Sequence, residues 1–215
     1  MKLNKRILYL IQQAGTLLQM PRSHKNILGT SFDTIASHSH HVSIITYCIA
    51  RMEKLSHEDA LKAMAMACFH DLAEARTLDL NFVVKNYVKA DEEKAIKDQF
   101  KNIEFGPDLE KLLSEYFERK TLVAKCAKDA DQLTQIYHEY ILMWQGNKLA
   151  QKWFEIDFTA RLPYFFTESA KQLMLALKDS NPDEWWWNEF VNKNGEAKTR
   201  EHLLGKNFNK NPDKK

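Results

Sequence analysis

Glycine and proline are rare in this chain, and their scarcity limits its fold more than any other feature of the sequence. Only 6 glycines and 5 prolines occur among 215 residues, so few positions favour the tight turns that connect short strands. Apolar residues recur at spacings of three and four instead of alternating, which is the pattern of helices with one buried face. The sequence therefore predicts an all-α protein, a single-domain helical bundle.

The periodic segments predict eight helices joined by polar connections. Residues 21–33 are predicted to be a loop, and residues 76–89 an irregular connection long enough to serve a function. Residues 1–190 are expected to form one domain, and the polar segment 191–215 a mobile tail. The predicted helices are 4–19, 34–53, 57–74, 91–101, 107–118, 121–145, 148–152 and 159–178.

Charge and cysteine usage argue against several classes of protein. The 31 basic residues nearly balance the 29 acidic ones, so no net charge favours binding to nucleic acid. No window approaches the roughly 18 to 20 apolar residues that a membrane span requires. The three cysteines, Cys48, Cys68 and Cys126, stand singly in apolar patterns and do not resemble a disulfide framework. We expect a cytoplasmic protein without membrane or nucleic-acid partners.

Residues 69–74, which read Phe-His-Asp-Leu-Ala-Glu, carry the most informative motif. On a helix, His70, Asp71 and Glu74 can share one face. The imidazole and the adjacent carboxylate can bind a divalent cation, while Glu74 reaches a water molecule at that cation. A structural alternative is a hydrogen-bonded pair at a helix end, and the dipeptide alone does not decide between them.

Two further segments supply candidate ligands. Residues 37–42 read Ser-His-Ser-His-His-Val, and residues 128–133 read Lys-Asp-Ala-Asp-Gln-Leu within an apolar helical pattern. Acidic side chains in such a setting need a partner. His38, His40 and His41 cannot all face one metal ion from a regular helix, and Asp129 competes with Asp131 because the two lie on different helical faces.

The ordered set of a histidine, a His-Asp pair and a distant aspartate resembles the HD-domain phosphohydrolases. Residues 33–39, Asp-Thr-Ile-Ala-Ser-His-Ser, resemble the family's Glu-Ser-Val-Ala-Glu-His-Ser, and residues 21–23, Pro-Arg-Ser, resemble its Pro-Arg-Thr. Asp79 follows Glu74 by five residues, as in the compact branch that includes the 5′-deoxynucleotidases. The resemblance covers roughly residues 5 to 187 and implies a bundle of the HD-domain type.

This resemblance implies a role for each matching residue. Glu74 would take the proton of the attacking water, Arg22 would hold the phosphate, and Asp79 would position the substrate or act in catalysis. The family also implies one divalent metal ion, with cobalt, manganese or iron favoured over zinc or magnesium, and dimers are frequent in it. The implied metal ligands are His38, His70, Asp71 and Asp131.

Several positions depart from the family pattern or compete with the assigned residues. Ser37 replaces an acidic residue, Leu78 replaces a glycine that would suit a positive φ, and Lys25 stands where a tryptophan often occurs. Lys25 is expected to add a phosphate contact. The family alignment favours Asp131 over Asp129, which is expected to be exposed, whereas His41 and His138 are expected to be structural.

The resemblance predicts hydrolysis of the 5′-phosphate of (deoxy)ribonucleoside monophosphates by a metal-activated water. One alternative is a deoxynucleoside triphosphate triphosphohydrolase or another small phosphate-ester hydrolase, which Lys25 leaves open. A second alternative is a metal-stabilised protein that binds a nucleotide without turnover. Glu74 argues against that alternative, because a binder has little need for a carboxylate beside the metal that is not a ligand.

Overall fold

Helices form nearly all of the regular structure in the computed structural model, which describes residues 5–29 and 33–198. Within these ranges the chain forms no sheet strand, and only two isolated bridges occur, between Pro21 and Thr34 and between Val191 and Ala197. The prediction of an all-α fold is therefore confirmed. The chain divides into two compact units, one ending at Met174 and the next beginning at Leu175.

The helices and short 3₁₀ turns follow each other with brief connections. The 3₁₀ turns are Val84–Asn86 and Leu162–Tyr164. The α-helices are α1 Lys5–Thr16, α2 Lys25–Leu28, α3 Ile35–Met52, α4 His57–Phe69, α5 Glu74–Thr77, α6 Glu92–Phe100, α7 Gly106–Glu118, α8 Leu122–Trp144, α9 Lys148–Arg161, α10 Glu168–Lys178 and α11 Glu184–Phe190.

The first unit is organised around α3, α4 and α8, which pack against one another, and α9 packs against α8. Ile35, Val42 and Ile49 recur every seventh residue along the buried face of α3. The buried side of α4 carries small residues, including Ala60 and Ala63. Small side chains let the helix backbones approach closely, so that residues on all three helices reach a common centre.

Local sequence fixes the start of α3. Thr34 accepts a hydrogen bond from the backbone N–H of Ser37, and Ser37 Oγ accepts one from the backbone N–H of Thr34, which forms a reciprocal capping box. Ser37 Oγ also donates to Asp33 Oδ1 at 2.7 Å. Ser37, which stands where the resembling family has an acid, therefore anchors the helix that carries His38.

Three predicted helices differ from the observed ones, since the range predicted as the helix 159–178 contains the end of α9, the 3₁₀ turn Leu162–Tyr164 and α10. The helix predicted at 57–74 ends at Phe69, and the chain turns through residues 70–73 before α5 begins. The buried Gln99 donates to the carbonyl of Leu72 at 2.9 Å and stabilises this turn. The break predicted after residue 152 is also wrong: α9 continues to Arg161, and the helix stops where Pro163 removes a backbone donor.

The predicted loop at 21–33 contains the short helix α2. The second unit contains α11, which carries three consecutive tryptophans, and the turn closed by the bridge between Val191 and Ala197. A single domain over residues 1–190 stays a prediction. Most of the predicted tail lies outside the described residues.

Candidate metal centre

The four predicted metal ligands come together from three elements of the first unit. His38 lies on α3, His70 and Asp71 lie in the turn after α4, and Asp131 lies on α8. Asp71 Oδ2 is 3.5 Å from His38 Nε2 and 3.1 Å from His70 Nε2. Asp131 Oδ1 is 3.2 Å and 3.6 Å from the same two nitrogens. Two imidazoles and two carboxylates therefore point at one small volume.

The histidine nitrogens in this cluster are oriented as metal ligands require. His70 Nδ1 donates to the carbonyl of Ala67 at 2.7 Å, so its Nε2 faces the carboxylates. Nε2 of His38 and Nε2 of His70 are both buried and have no hydrogen-bond partner. Buried polar atoms of this kind are costly unless something else binds them. Two imidazoles with two carboxylates fit a first-row divalent cation.

The electrostatics of the cluster also favour a cation. Burial lowers the pKa of His70, but the carboxylates of Asp71 and Asp131 outweigh it and raise that pKa to about 10. Burial raises the pKa of Asp131, but His38, His70 and Lys128 together hold it well below its usual range. The carboxylates thus favour positive charge at the centre, which a divalent ion supplies.

Arg22 lies beside this centre and is held by two carboxylates. Its Nη1 donates to Asp71 Oδ2 at 3.0 Å, and its Nε is 3.5 Å from Asp79 Oδ2. Asp79 Oδ2 also accepts a 2.9 Å hydrogen bond from the backbone N–H of Ser23. Asp79 therefore fixes the backbone next to Arg22 and forms an ion pair with its side chain, although Arg22 Nε itself has no hydrogen-bond partner. Lys25, the other predicted substrate contact, is exposed on α2.

Glu74, at the first position of α5, is partly buried, and its Oε2 is buried without a hydrogen-bond donor. Burial, and then the charges of Asp71 and Asp79, raise the pKa of the Glu74 carboxyl to about 9. A carboxyl group whose pKa is raised in this way is suited to general acid–base chemistry. The turn at residues 70–73, rather than a continuous helix, brings this side chain near the ligands.

A cavity of about 440 Å³ opens beside Arg22 and Asp131. A larger cavity of about 720 Å³ lies along α6 and α7 and contains none of the predicted site residues. The smaller cavity combines charged groups with apolar surface. It is lined by Arg22, Ser23, His24, Ile27, Asp79, Asn81, Phe82, Lys85, Lys128, Asp131, Gln132, Gln135, Glu139, Trp153, Ile156, Asp157 and Arg161.

Lys128 is a site residue that the sequence reasoning missed. Its Nζ donates to Asp131 Oδ2 at 2.7 Å, and its side chain lines the cavity. The spacing of three residues from Asp131 on one helix was the available signal, since such residues are neighbours on the helix surface. The cavity is therefore lined by a second positively charged side chain besides Arg22, and this side chain, Lys128, contacts the candidate ligand Asp131.

Asp129 contradicts the expectation that it is exposed. Its side chain is fully buried and accepts hydrogen bonds from the backbone N–H groups of Phe166 and Thr167 and from Thr167 Oγ1, at 3.0, 2.7 and 2.7 Å. These bonds fix the segment that precedes α10. The carboxylate lies on the face of α8 away from the ligands because residues two apart on a helix diverge.

The described residues bear on two of the predictions, the one about the membrane and the one about the cysteines. No helix among residues 5–29 and 33–198 is long and apolar enough to cross a membrane. Cys48, Cys68 and Cys126 are all free, and Cys126 is buried in α8. The three cysteines therefore form no disulfide with one another.

Known proteins share this fold and this arrangement of helices. A conserved hypothetical protein from Pyrococcus furiosus is 27% identical over 80% of this chain and 99% of its own, with a TM-score of 0.67. A protein from Pyrococcus horikoshii OT3 is 29% identical over 80% of this chain and 96% of its own, with a TM-score of 0.63. A protein from Magnetospirillum magnetotacticum MS-1 is 19% identical over 81% of this chain and 90% of its own, with a TM-score of 0.62.

The family comparison covers most of the first unit. No curated protein matches the chain. The family described as HD domain matches residues 14–174, a range that contains every predicted metal ligand and the whole of α3, α4 and α8. The chain therefore belongs to the HD domain family.

Proposed function

We propose that this protein is a metal-dependent phosphohydrolase that removes the 5′-phosphate from nucleoside monophosphates, including deoxyribonucleotides. The observation that carries the proposal is the guanidinium of Arg22, held beside Asp71 at the edge of the ligand cluster and open to the cavity. A planar guanidinium matches a phosphate with paired hydrogen bonds. The Magnetospirillum protein is described as a predicted metal-dependent phosphohydrolase, and the proposal extends that description to this chain.

His38, His70, Asp71 and Asp131 would hold the metal ion. When bound, a divalent cation lowers the pKa of a neighbouring water molecule toward neutrality and offsets phosphate charge. Cobalt, manganese and iron are the ions we favour, on the resemblance described above. A neutral imidazole from each histidine and an ionised carboxylate from each aspartate provide the donor set.

The other residues bind the substrate and move a proton. Arg22 binds the phosphate oxygens, and Lys128 brings a second positive charge to the cavity. Glu74 would take a proton from the attacking water as a carboxylate. Burial raises the pKa of its carboxyl group to about 9, so a bound divalent cation would have to lower that pKa before the group could act as a base near neutral pH. Asp79 acts as a positioning residue that holds Arg22 and the backbone of Ser23.

The cavity suits a nucleoside better than a compact phosphate ester. Its volume of about 440 Å³ is in the range of small-molecule sites. Phe82 and Trp153 make an edge-to-face contact at a centroid distance of 5.9 Å, and both line the cavity. Their apolar rings offer a surface against which a base can stack. They would serve in place of the tryptophan that this chain lacks at Lys25.

Lys25 is the only sequence feature that favours release of triphosphate from a deoxynucleotide. Because Lys25 is exposed and is absent from the cavity lining, it gives no support to a longer phosphate chain. A nucleotide-binding protein without turnover would leave the position of Glu74 unexplained. The monophosphate reaction gives a role to Arg22 and the cavity that it lines, and a role to Glu74, which lines a separate cavity of about 320 Å³.

The decisive experiment is a substrate panel with controlled metal content. Chelator-treated protein is resupplied with cobalt, manganese, magnesium or zinc, and phosphate release is measured from ribo- and deoxyribonucleoside mono- and triphosphates. We expect metal-dependent release of inorganic phosphate from monophosphates. Release of triphosphate would support the first alternative, and no release from metal-loaded protein would support the binding protein.

A further inference from the structure

A second group of potential ligands lies in the first unit and shares no residue with the metal centre. His24 precedes α2, Asp33 precedes α3, and His138 lies on α8. One ring nitrogen of each histidine and a carboxylate oxygen of Asp33 all lie within 4.8 Å of one another. The ring centroids of His24 and His138 are 4.8 Å apart, and His138 Nδ1 is 3.8 Å from Asp33 Oδ2.

One side chain of this group is buried and the other two are partly buried. His24 is only 7% exposed, and its Nε2 is buried without a hydrogen-bond partner. The side chains of His138 and Asp33 are 18% and 15% exposed. A buried imidazole nitrogen with no partner carries a desolvation cost that a bound cation removes.

The charge states also suit a metal ion. Burial, followed by the charges of His138 and Arg22, lowers the pKa of His24 to about 4. Burial is also the largest cause that lowers the pKa of His138. Both rings are therefore neutral near neutral pH and present lone pairs. Neutral imidazole is the form that binds metals.

We propose that His24, Asp33 and His138 form a second metal site for a borderline divalent cation such as zinc or cobalt. Two imidazoles and one carboxylate are a known donor set for such ions, and the coordination shell is completed by water. The proposal does not depend on the phosphohydrolase assignment, since it concerns binding alone.

The position of this site suggests what it does. Two of its ligands lie on either side of α2, and the third lies on α8, the helix that carries Asp131. A metal ion there would link the segment that contains Arg22, two residues before His24, to the helix that carries a ligand of the first centre. The second ion would therefore stabilise the placement of Arg22 rather than act on the substrate.

Metal stoichiometry tests the proposal. The untagged full-length protein is treated with chelator, reloaded with zinc or cobalt, dialysed and analysed for metal per chain by mass spectrometry. We expect two ions in the unmodified protein, and one in His24→Gln and in His138→Gln. His40→Gln makes the same chemical change at an exposed position of α3 and should retain both ions. His70→Gln should lose the first ion and keep the second.

A different pattern overturns the proposal. If the unmodified protein binds one ion that His70→Gln removes and His24→Gln retains, the second group holds no metal. Circular dichroism checks that each variant is folded. Should one variant fail to fold, crystals of the unmodified protein grown with zinc give an independent answer. Anomalous density between the rings of His24 and His138 supports the site, and its absence at full occupancy of the first centre excludes it.

Discussion

Arg22 donates a hydrogen bond of 3.0 Å from Nη1 to Oδ2 of Asp71, so a phosphate-binding candidate and a metal-ligand candidate are in direct contact. The Asp71 oxygen that accepts this bond is also 3.1 Å from His70 Nε2. A phosphate bound by this guanidinium would lie next to the ligand cluster. This contact joins two segments that are distant in the sequence. We therefore expect a substitution of Arg22 to change the rate of phosphate release.

Arg22→Lys should lower kcat/KM for phosphate release about 10- to 100-fold, because a lysine keeps the charge but loses the planar pair of donors. Steady-state kinetics with the preferred monophosphate measure this effect. Arg51→Lys, at an exposed position near the end of α3, is the matched control, and its kcat/KM should equal that of the unmodified protein. Equal activity of Arg22→Lys and the unmodified protein would exclude paired hydrogen bonds to the substrate.

Glu74→Gln should lower kcat about 100-fold or more while leaving the metal content unchanged, because the amide has nearly the same shape but cannot accept a proton. Phosphate release and metal analysis on the same samples test both parts. Glu58→Gln, an exposed residue in the first turn of α4, serves as the control. Loss of metal from Glu74→Gln would instead make Glu74 a ligand.

The two aspartates of α8 should respond in opposite ways. Asp129→Asn should destabilise the protein by about 1–3 kcal/mol, because an amide oxygen replaces a carboxylate that accepts three hydrogen bonds, yet it should keep the metal. Asp131→Asn should lose metal affinity with a smaller effect on unfolding. Denaturant unfolding and metal analysis of both variants give the comparison. The reverse pattern would assign the ligand role to Asp129.

The fold was largely predictable because it depends on short-range patterns, whereas the set of four candidate ligands came from the resemblance to the HD-domain family. Helical periodicity and the scarcity of glycine and proline identified the bundle, and the motif at His70 and Asp71 selected the region of the site. Contacts between distant segments were not predictable. Periodicity places Asp129 and Asp131 on different faces, but only the packed structure shows which face meets the residues before α10.

The sequence also does not predict that His24, Asp33 and His138 lie together, because this is a contact between distant segments. His24 and His138 lie far apart in the sequence, and no local spacing connects them. The sequence predicts a structural role for His138, because a lone histidine in an apolar helix usually has one. Its ring lies 4.8 Å from that of His24 only because the segment before α2 packs on α8. Tertiary packing, not propensity, brings these side chains together.

Leu78→Gly should stabilise the protein by about 1 kcal/mol, because strain of roughly 1–3 kcal/mol at a positive φ exceeds the entropic cost of a glycine. Leu78 has φ 65° and ψ 157° and is 62% exposed, so its removal costs little burial. Leu18→Gly is the control, since Leu18 is also 62% exposed but has no positive φ, and it should destabilise. Denaturant midpoints measure both. Destabilisation by Leu78→Gly would show that its side chain contributes more than its backbone strain costs.

Glu139 should make the free energy of unfolding depend on pH in a definite direction. Burial is the largest cause that raises its pKa, and together with the nearby Asp157 it outweighs the hydrogen bond from Gln135, so that the native pKa is about 7 against an ordinary value of 4.5. Between these values only the native state holds the proton. The stabilisation is therefore complete below the lower pKa and is lost as the pH rises through about 7.

Glu139→Gln removes this titration, so its stability relative to the unmodified protein should increase between about pH 5 and pH 8, by at most about 3 kcal/mol. Urea unfolding at several pH values measures the difference. Glu155→Gln is a close control, because Glu155 accepts a hydrogen bond from Gln151 just as Glu139 does from Gln135, but at an exposed position. A parallel pH dependence for Glu139→Gln and the unmodified protein would mean that Glu139 is ionised in the native state. The cavity wall at Glu139 would then carry a negative charge, which would oppose the binding of a nucleotide phosphate near it.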